Sequence, residues 1–152
     1  EDFAITAKPD TLPTGLAFKP IALSPLLFIA PKQGINGKAT PISRLNETTP
    51  MILSEGGVAR KRIDRWFKEQ AIKPLIYAQV AGNEAIVSMV SLGFGIGVVP
   101  KIVLENSPLA NTVDILDIHP TLKAYEVGII TLEKKLKNPL VNAFWAQLKP
   151  SL

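Results

Sequence analysis

GFGIGVVPK, residues Gly93 to Lys101, alternates three glycines with Phe94 and Ile96 and runs into Val98-Val99-Pro100. Glycine at this density suits two unrelated roles. It can cradle a phosphate, or it can let backbone pass close to backbone. The order of the flanking segments decides between them. A phosphate loop needs a strand, then glycines, then the N-terminus of a helix, because free backbone N–H groups must point at the anion. Here the order is reversed. Asn83 to Leu92 sets Ile86, Val87, Met89 and Val90 at helical spacing, and Gly95 to Val99 reads as a strand. Gly93 then falls where a helix takes a left-handed C-terminal residue. Gly95 and Gly97 fall where a strand passes close to its neighbours. Pro100 is placed to open a short helix through Glu105.

Strands and helices alternate on either side of this stretch. Upstream, Met51-Ile52-Leu53 is a short apolar strand. Ala59, Ile63, Trp66 and Phe67 then mark one face of a helix that ends at Lys73-Pro74, with a basic cluster on its other face. Leu75 to Val80 is the next strand, and Asn83 is a good N-cap for the helix after it. Downstream, Val113 to Ile118 and Tyr125 to Thr131 read as strands. Asn138 caps a last helix with Pro139 in its first position, and Leu140, Val141, Phe144, Trp145 and Leu148 are expected to form its buried stripe. Nearer the N-terminus, Glu1 to Thr6 alternates like a strand and Leu16 to Phe18 is a short one. Pro25 to Ala30 is a buried apolar strand. Gly34 to Lys38 is a loop, and Ser43-Arg44-Leu45 suggests one helical turn. The alternation predicts an α/β fold with mainly parallel sheets covered on both faces.

The polarity that GFGIGVVPK lacks occurs twice elsewhere. Leu53-Ser54-Glu55-Gly56-Gly57 is strand, glycines, helix, and Val80-Ala81-Gly82-Asn83 is strand, glycine, helix. In an open parallel sheet such turns lie at the carboxyl ends of strands, where ligands bind. Each offers unpaired N–H groups and the positive end of a helix dipole. Ser54 and Asn83 add side-chain hydrogen bonds, or else only cap their helices. Glu55 and Glu84 oppose a highly charged anion, so a small carboxylate fits better than a polyphosphate.

Composition limits the chemistry. The chain has 152 residues with a net charge of +4, 17 basic residues against 13 acidic. That is a mildly basic solvated surface rather than a nucleic-acid face. No cysteine is present, which excludes a disulfide framework, a thiolate metal site and a cysteine nucleophile, and fits a cytoplasmic setting. One histidine, His119, is poor material for a zinc site, and no nucleophile elbow, P-loop or HExxH motif accompanies it. No metal or cofactor is expected, and no membrane span.

The segment NEAIVSMVSLGFGIGVVPKIVLENSPL resembles the hallmark of the effector-binding domain of LysR-type transcriptional regulators: a helix ending in Gly, then Gly-x-Gly, two hydrophobic residues and Pro. EDFAIT and PLLFIAP are similar to strands of the same domain, in the same order and spacing, and the resemblance runs the length of the chain. LSEGGVARKRIDRWF, YAQVAGNEAIVSMV, VVPKIVLENSP and NPLVNAFW are most similar to the IlvY branch, which activates the ketol-acid reductoisomerase gene of branched-chain amino-acid synthesis.

The resemblance implies a periplasmic-binding-protein-like fold of two lobes joined by crossover strands, with a small effector in the cleft. Residues 50–130 would form lobe II, essentially whole. Residues 1–49 and 131–152 would form lobe I, lacking its first strand-helix units, with the DNA-binding domain also outside this sequence. Such a lobe should expose apolar faces of Phe3, Ile5 and the last helix unless other chains cover them. Ser54, Glu55, Gly56, Gly57, Gly82 and Asn83 would line the cleft from lobe II, and Lys8 and Lys19 from lobe I. For the IlvY branch the implied effectors are acetohydroxy acids, with self-association into dimers or tetramers and DNA contact only through the missing domain. The alternatives are a transporter's solute-binding protein of the same fold and an enzyme using His119, which would put His119 in the cleft.

Overall fold

The computed structural model describes residues 2–9, 11–37 and 44–149, with Tyr125 by its backbone alone. Ser43 of the expected helical turn and Lys38 of the expected loop lie outside the described residues. In chain order the elements are β1 (Ala4–Ala7), β2 (Leu16–Ser24), β3 (Leu26–Pro31), β4 (Pro50–Ser54), α1 (Val58–Glu69), β5 (Leu75–Val80) and α2 (Asn83–Ser91). They continue with β6 (Ile96–Pro100), α3 (Lys101–Glu105), β7 (Val113–Ile115), β8 (Tyr125–Leu132) and α4 (Pro139–Gln147). Two 3-10 turns, Ala110–Thr112 and Glu133–Lys137, precede β7 and α4.

The chain divides into two compact units. One is Pro25–Lys123; the other joins Glu1–Ser24 to Ala124–Leu152. These boundaries differ from the expected breaks at residues 49/50 and 130/131. The reason is β3. Its apolar run pairs on one side with β6 and on the other with β7, so residues 25–49 belong to the central unit.

In the central unit five strands lie in the order β5-β4-β6-β3-β7. β4 is parallel to β5 and β6, and β3 is antiparallel to β6 and β7. All strands but β3 therefore run one way. Successive residues of a strand point to opposite faces. Phe28 packs on Trp66 of α1 at 5.1 Å, while its neighbour Ile29 lies in a cluster with Ile86, Val87 and Val90 of α2. The two helices thus cover opposite faces, and the inner strands β4, β6 and β3 are buried between them.

Within α1, Ile63, Trp66 and Phe67 are buried at the positions their spacing predicts. The helix ends before Lys73-Pro74: Ala71 turns left-handed at φ 55°, and its N–H bonds to the Lys68 carbonyl. At the end of α2, Gly93 has φ 90°, its N–H bonds to Val90 O, and the Phe94 N–H reaches Met89 O. That is the Schellman pattern, with Gly93 in the left-handed C-terminal role expected of it. A Cβ on Gly95 would stand 2.5 Å from the Pro50 carbonyl oxygen, and one on Gly97 2.6 Å from a methyl of Ile86. Both glycines are close-approach positions, Gly97 within β6 and Gly95 just before it, the strand beginning one residue later than expected. Pro100 closes β6 and precedes α3 rather than forming its first turn.

The second unit is antiparallel throughout its sheet, in the order β1-β8-β2. The mainly parallel expectation therefore describes only the central sheet. β2 is longer than the predicted strand and carries Pro20 at a register shift. An edge strand tolerates this because its outer N–H has no ladder partner to lose. Asn138 caps α4 as predicted: its Oδ1 accepts from the N–H groups of Leu140 and Val141, and Pro139 follows at the first position. Spacing alone predicts a buried stripe on α4 and the family resemblance an exposed one; the stripe is largely exposed. Val141 alone of it is buried, Leu140 is 83% exposed and Phe144 46% exposed. Phe3 packs against Phe144 and Trp145, whereas Ile5 faces solvent at 78%.

Candidate functional site

The parallel pairing of β4 with β5 matches Ser54 to Val80, so both strands end at the same sheet edge. The Glu55 N–H donates to the Val80 carbonyl at 3.1 Å and ties the two following turns together. Two separate sequence signals thus become one surface: Ser54-Glu55-Gly56-Gly57 leading into α1, beside Ala81-Gly82-Asn83 leading into α2.

The residues before each helix are glycines in left-handed backbone, Gly57 at φ 96° and Gly82 at φ 89°. An L side chain rarely adopts either conformation. Neither helix has a side-chain cap. The expectation that Asn83 caps α2 is corrected: Asn83 is already the first helical residue, and Gly82 holds the cap position. Ser54 lies too far ahead of α1 to cap it. Among the described residues, no hydrogen bond reaches the Ser54 hydroxyl or the Asn83 amide, so both polar side chains remain available. The first-turn N–H groups of a helix have no partners within it, and here no side chain supplies one. Gly56, Gly57 and Gly82 are exposed, with nothing within 4 Å of a Cβ placed on them. Glu55 and Glu84 are exposed beside the turns.

Arg60 was hidden within the basic run. Its side chain is only 14% exposed. Nη1 donates to the Ser54 carbonyl and to Gln79 Oε1, each at 2.6 Å, and Nε donates to Asp64 Oδ1 at 2.8 Å. One guanidinium thus fastens the ends of β4 and β5 to the first turn of α1. A cation there opposes the helix dipole, so it needs the acceptors it has found. The sequence did hold a signal, an arginine in a helical first turn with Asp four residues on.

Lys8 and Lys19 belong to the other unit. Lys8 follows β1, where its N–H donates to Glu126 O at 2.8 Å and its ammonium pairs with Glu126 Oε2 at 3.2 Å. Lys19 in β2 donates to Trp145 O at 2.6 Å and lies 5.3 Å from the centre of that indole ring. Both ammonium groups are engaged within their own unit. His119 is 72% exposed and 2.9 Å from Asp117 Oδ1. It lines a cavity of about 260 Å³ together with Gln70, Ala71 and Ile72, at the C-terminal end of α1. The turns meet the other end of this 12-residue helix, about 18 Å away at 1.5 Å per residue. Among the described residues no cluster of three or more His, Asp or Glu is arranged for a metal, and no helix is long and apolar enough to cross a membrane.

The LysR substrate binding domain family matches residues 2–152. This chain belongs to that family. Its similarity to the HTH-type transcriptional activator IlvY of Haemophilus influenzae is 39% identity over 153 residues, covering 97% of this chain and 52% of that protein. The HTH-type transcriptional regulator IlvY of Escherichia coli is also 39% identical, over 95% of this chain and 50% of its own length. The LysR-family chain thus spans about half the length of the curated relatives it matches. Among solved structures, the regulatory domain of Synechocystis CcmR in complex with 2-PG superposes with a TM-score of 0.77 at 24% identity, over 97% of this chain and 72% of that one. The effector binding domain of QuiR in complex with shikimate gives 0.75 at 26% identity, over 95% and 68%. The fold is that of LysR effector-binding domains, periplasmic-binding-protein-like.

Proposed function

We propose that this chain is the effector-sensing part of a LysR-type transcriptional regulator of the IlvY kind, and that it binds a small carboxylate at the paired turns. The observation that carries this reading is the juxtaposition of two uncapped helix N-termini at one parallel-sheet edge. A carboxylate there accepts from the free N–H groups of α1 and α2, which also present their positive dipole ends. The Ser54 hydroxyl and Asn83 amide serve the ligand's other oxygens. Glu55 and Glu84 disfavour more highly charged anions.

In this reading the central unit belongs to lobe II and the other unit to lobe I. An acetohydroxy acid, a 2-hydroxy-2-acyl carboxylate, matches both the size and the single charge. Shikimate, held by the similar QuiR domain, is also a hydroxylated carboxylic acid. The protein acts in the cytoplasm as an oligomer, with no catalysis of its own. Binding that favours one arrangement of the lobes is coupled to the DNA-binding arms of the complete regulator, and the coupling equals the difference in effector affinity between the two states.

Calorimetric titration with acetolactate and a panel of small carboxylates tests this. Heat from acetolactate, lost in Ser54→Ala and Asn83→Ala, is the expected result. Heat from a different carboxylate alone would keep the site and discard the acetohydroxy acid. Silence from every carboxylate would discard the site as well.

A further inference from the structure

A second cavity of about 120 Å³ lies along α1, away from the paired turns. Arg62, Arg65 and Glu69 line it from the helix, Pro120 and Lys123 from the segment after β7, and Trp66 lies between. The spacing of Arg62, Arg65, Trp66 and Glu69 puts them on one side of the helix. Three cations meet one carboxylate here. Among the described residues, none of Arg62, Arg65 and Lys123 has an ion pair or a side-chain hydrogen bond. The Nε of Arg62 is buried without any hydrogen-bond partner. A buried donor left unpaired is costly, and arginine donors suit oxyanions with several acceptor oxygens.

We propose that this cavity is an oxyanion site, distinct from the effector turns, that takes a phosphate or sulfate group. Arg62 supplies charge from the helix side. Arg65 and Lys123 supply charge from either wall. The volume admits one tetrahedral group. Glu69 weakens binding and sets a modest affinity. The Trp66 indole donates to the Pro120 carbonyl at 2.7 Å across this cavity's wall, so its N–H resonance reports occupancy.

The test is an NMR titration of the chain with sodium phosphate and with sodium sulfate, against sodium chloride at matched ionic strength. The Trp66 indole resonance should shift and saturate with the oxyanions only, while that of Trp145 stays in place. Arg62→Gln and the surface variant Lys123→Gln should each weaken binding by about tenfold, and Glu69→Gln should strengthen it. Ser54→Ala should leave it unchanged, so failure here is separable from failure of the effector reading. A Trp66 resonance that stays still, or that moves equally with chloride, overturns the proposal. So does unaltered affinity in both cation variants. Phenyl phosphate in place of inorganic phosphate separates the two sources: tighter binding of the ester assigns the site to a phosphorylated metabolite, tighter binding of the inorganic ion to the free anion.

Discussion

Gly95, just before β6, and Gly97, within it, sit where any side chain would collide with a neighbour. Gly56, Gly57 and Gly82 sit in turns where a side chain would meet nothing. The first pair is glycine because the fold fills the space. The second set lies open, two of them also holding a backbone conformation that side chains resist. The stretch densest in glycine serves packing, while the sparser glycines leave open space. A glycine's meaning lies in what surrounds the missing Cβ.

Substitutions can break this contrast. The largest effect is expected from Gly95→Ala. The new methyl faces a backbone carbonyl that cannot rotate away, and we expect a loss of about 3 kcal/mol in urea unfolding. Gly97→Ala meets the methyl ends of Ile86 and Val90, which have some freedom, so about 2 kcal/mol is expected by the same measurement. If either variant unfolds at the wild-type urea midpoint, the packing account is wrong. Asn138→Ala should cost about 1 kcal/mol, because a working cap is removed from α4. Asn83→Ala should cost under about 0.5 kcal/mol, because Asn83 caps nothing. Equal costs for the two asparagines would mean that Asn83 is structural after all. The smallest effect on stability belongs to Gly56→Leu, within about 0.5 kcal/mol, yet it should abolish carboxylate binding by calorimetry. Gly56 is the better test than Gly57, whose φ of 96° would add backbone strain to any loss of binding.

Much of the central unit was legible in advance. The Gly93 turn, the apolar face of α1 and the polarity of both ligand turns follow from local spacing, because helix period and turn chemistry are short-range properties. Other features were not legible. Asn83 looks like a cap because Asn often is one, but Gly82 can take φ 89° and Asn83 then moves one place into the helix. Arg60 reads as one more surface cation within Arg60-Lys61-Arg62. Only the meeting of β4, β5 and α1 shows its three acceptors. Leu140 and Phe144 have the spacing of a buried stripe; their exposure follows from the family resemblance and not from the spacing. The boundary at Ser24/Pro25 was missed because the strand pairings of β3 are with distant segments.

The sequence by itself determined the family, the α/β class, the left-handed glycine ending of α2 and the direction of each glycine turn. The glycine roles depend on residues within one or two helical turns of each other, and the family and class on the order of such local patterns along the chain. The tertiary structure alone decided that the two glycine turns before α1 and α2 form a single surface, that Arg60 fastens it, and that Arg62, Arg65 and Lys123 share a cavity. Each of these joins residues far apart in the chain. Strand order and parallel pairing, which no local pattern encodes, are what bring them together.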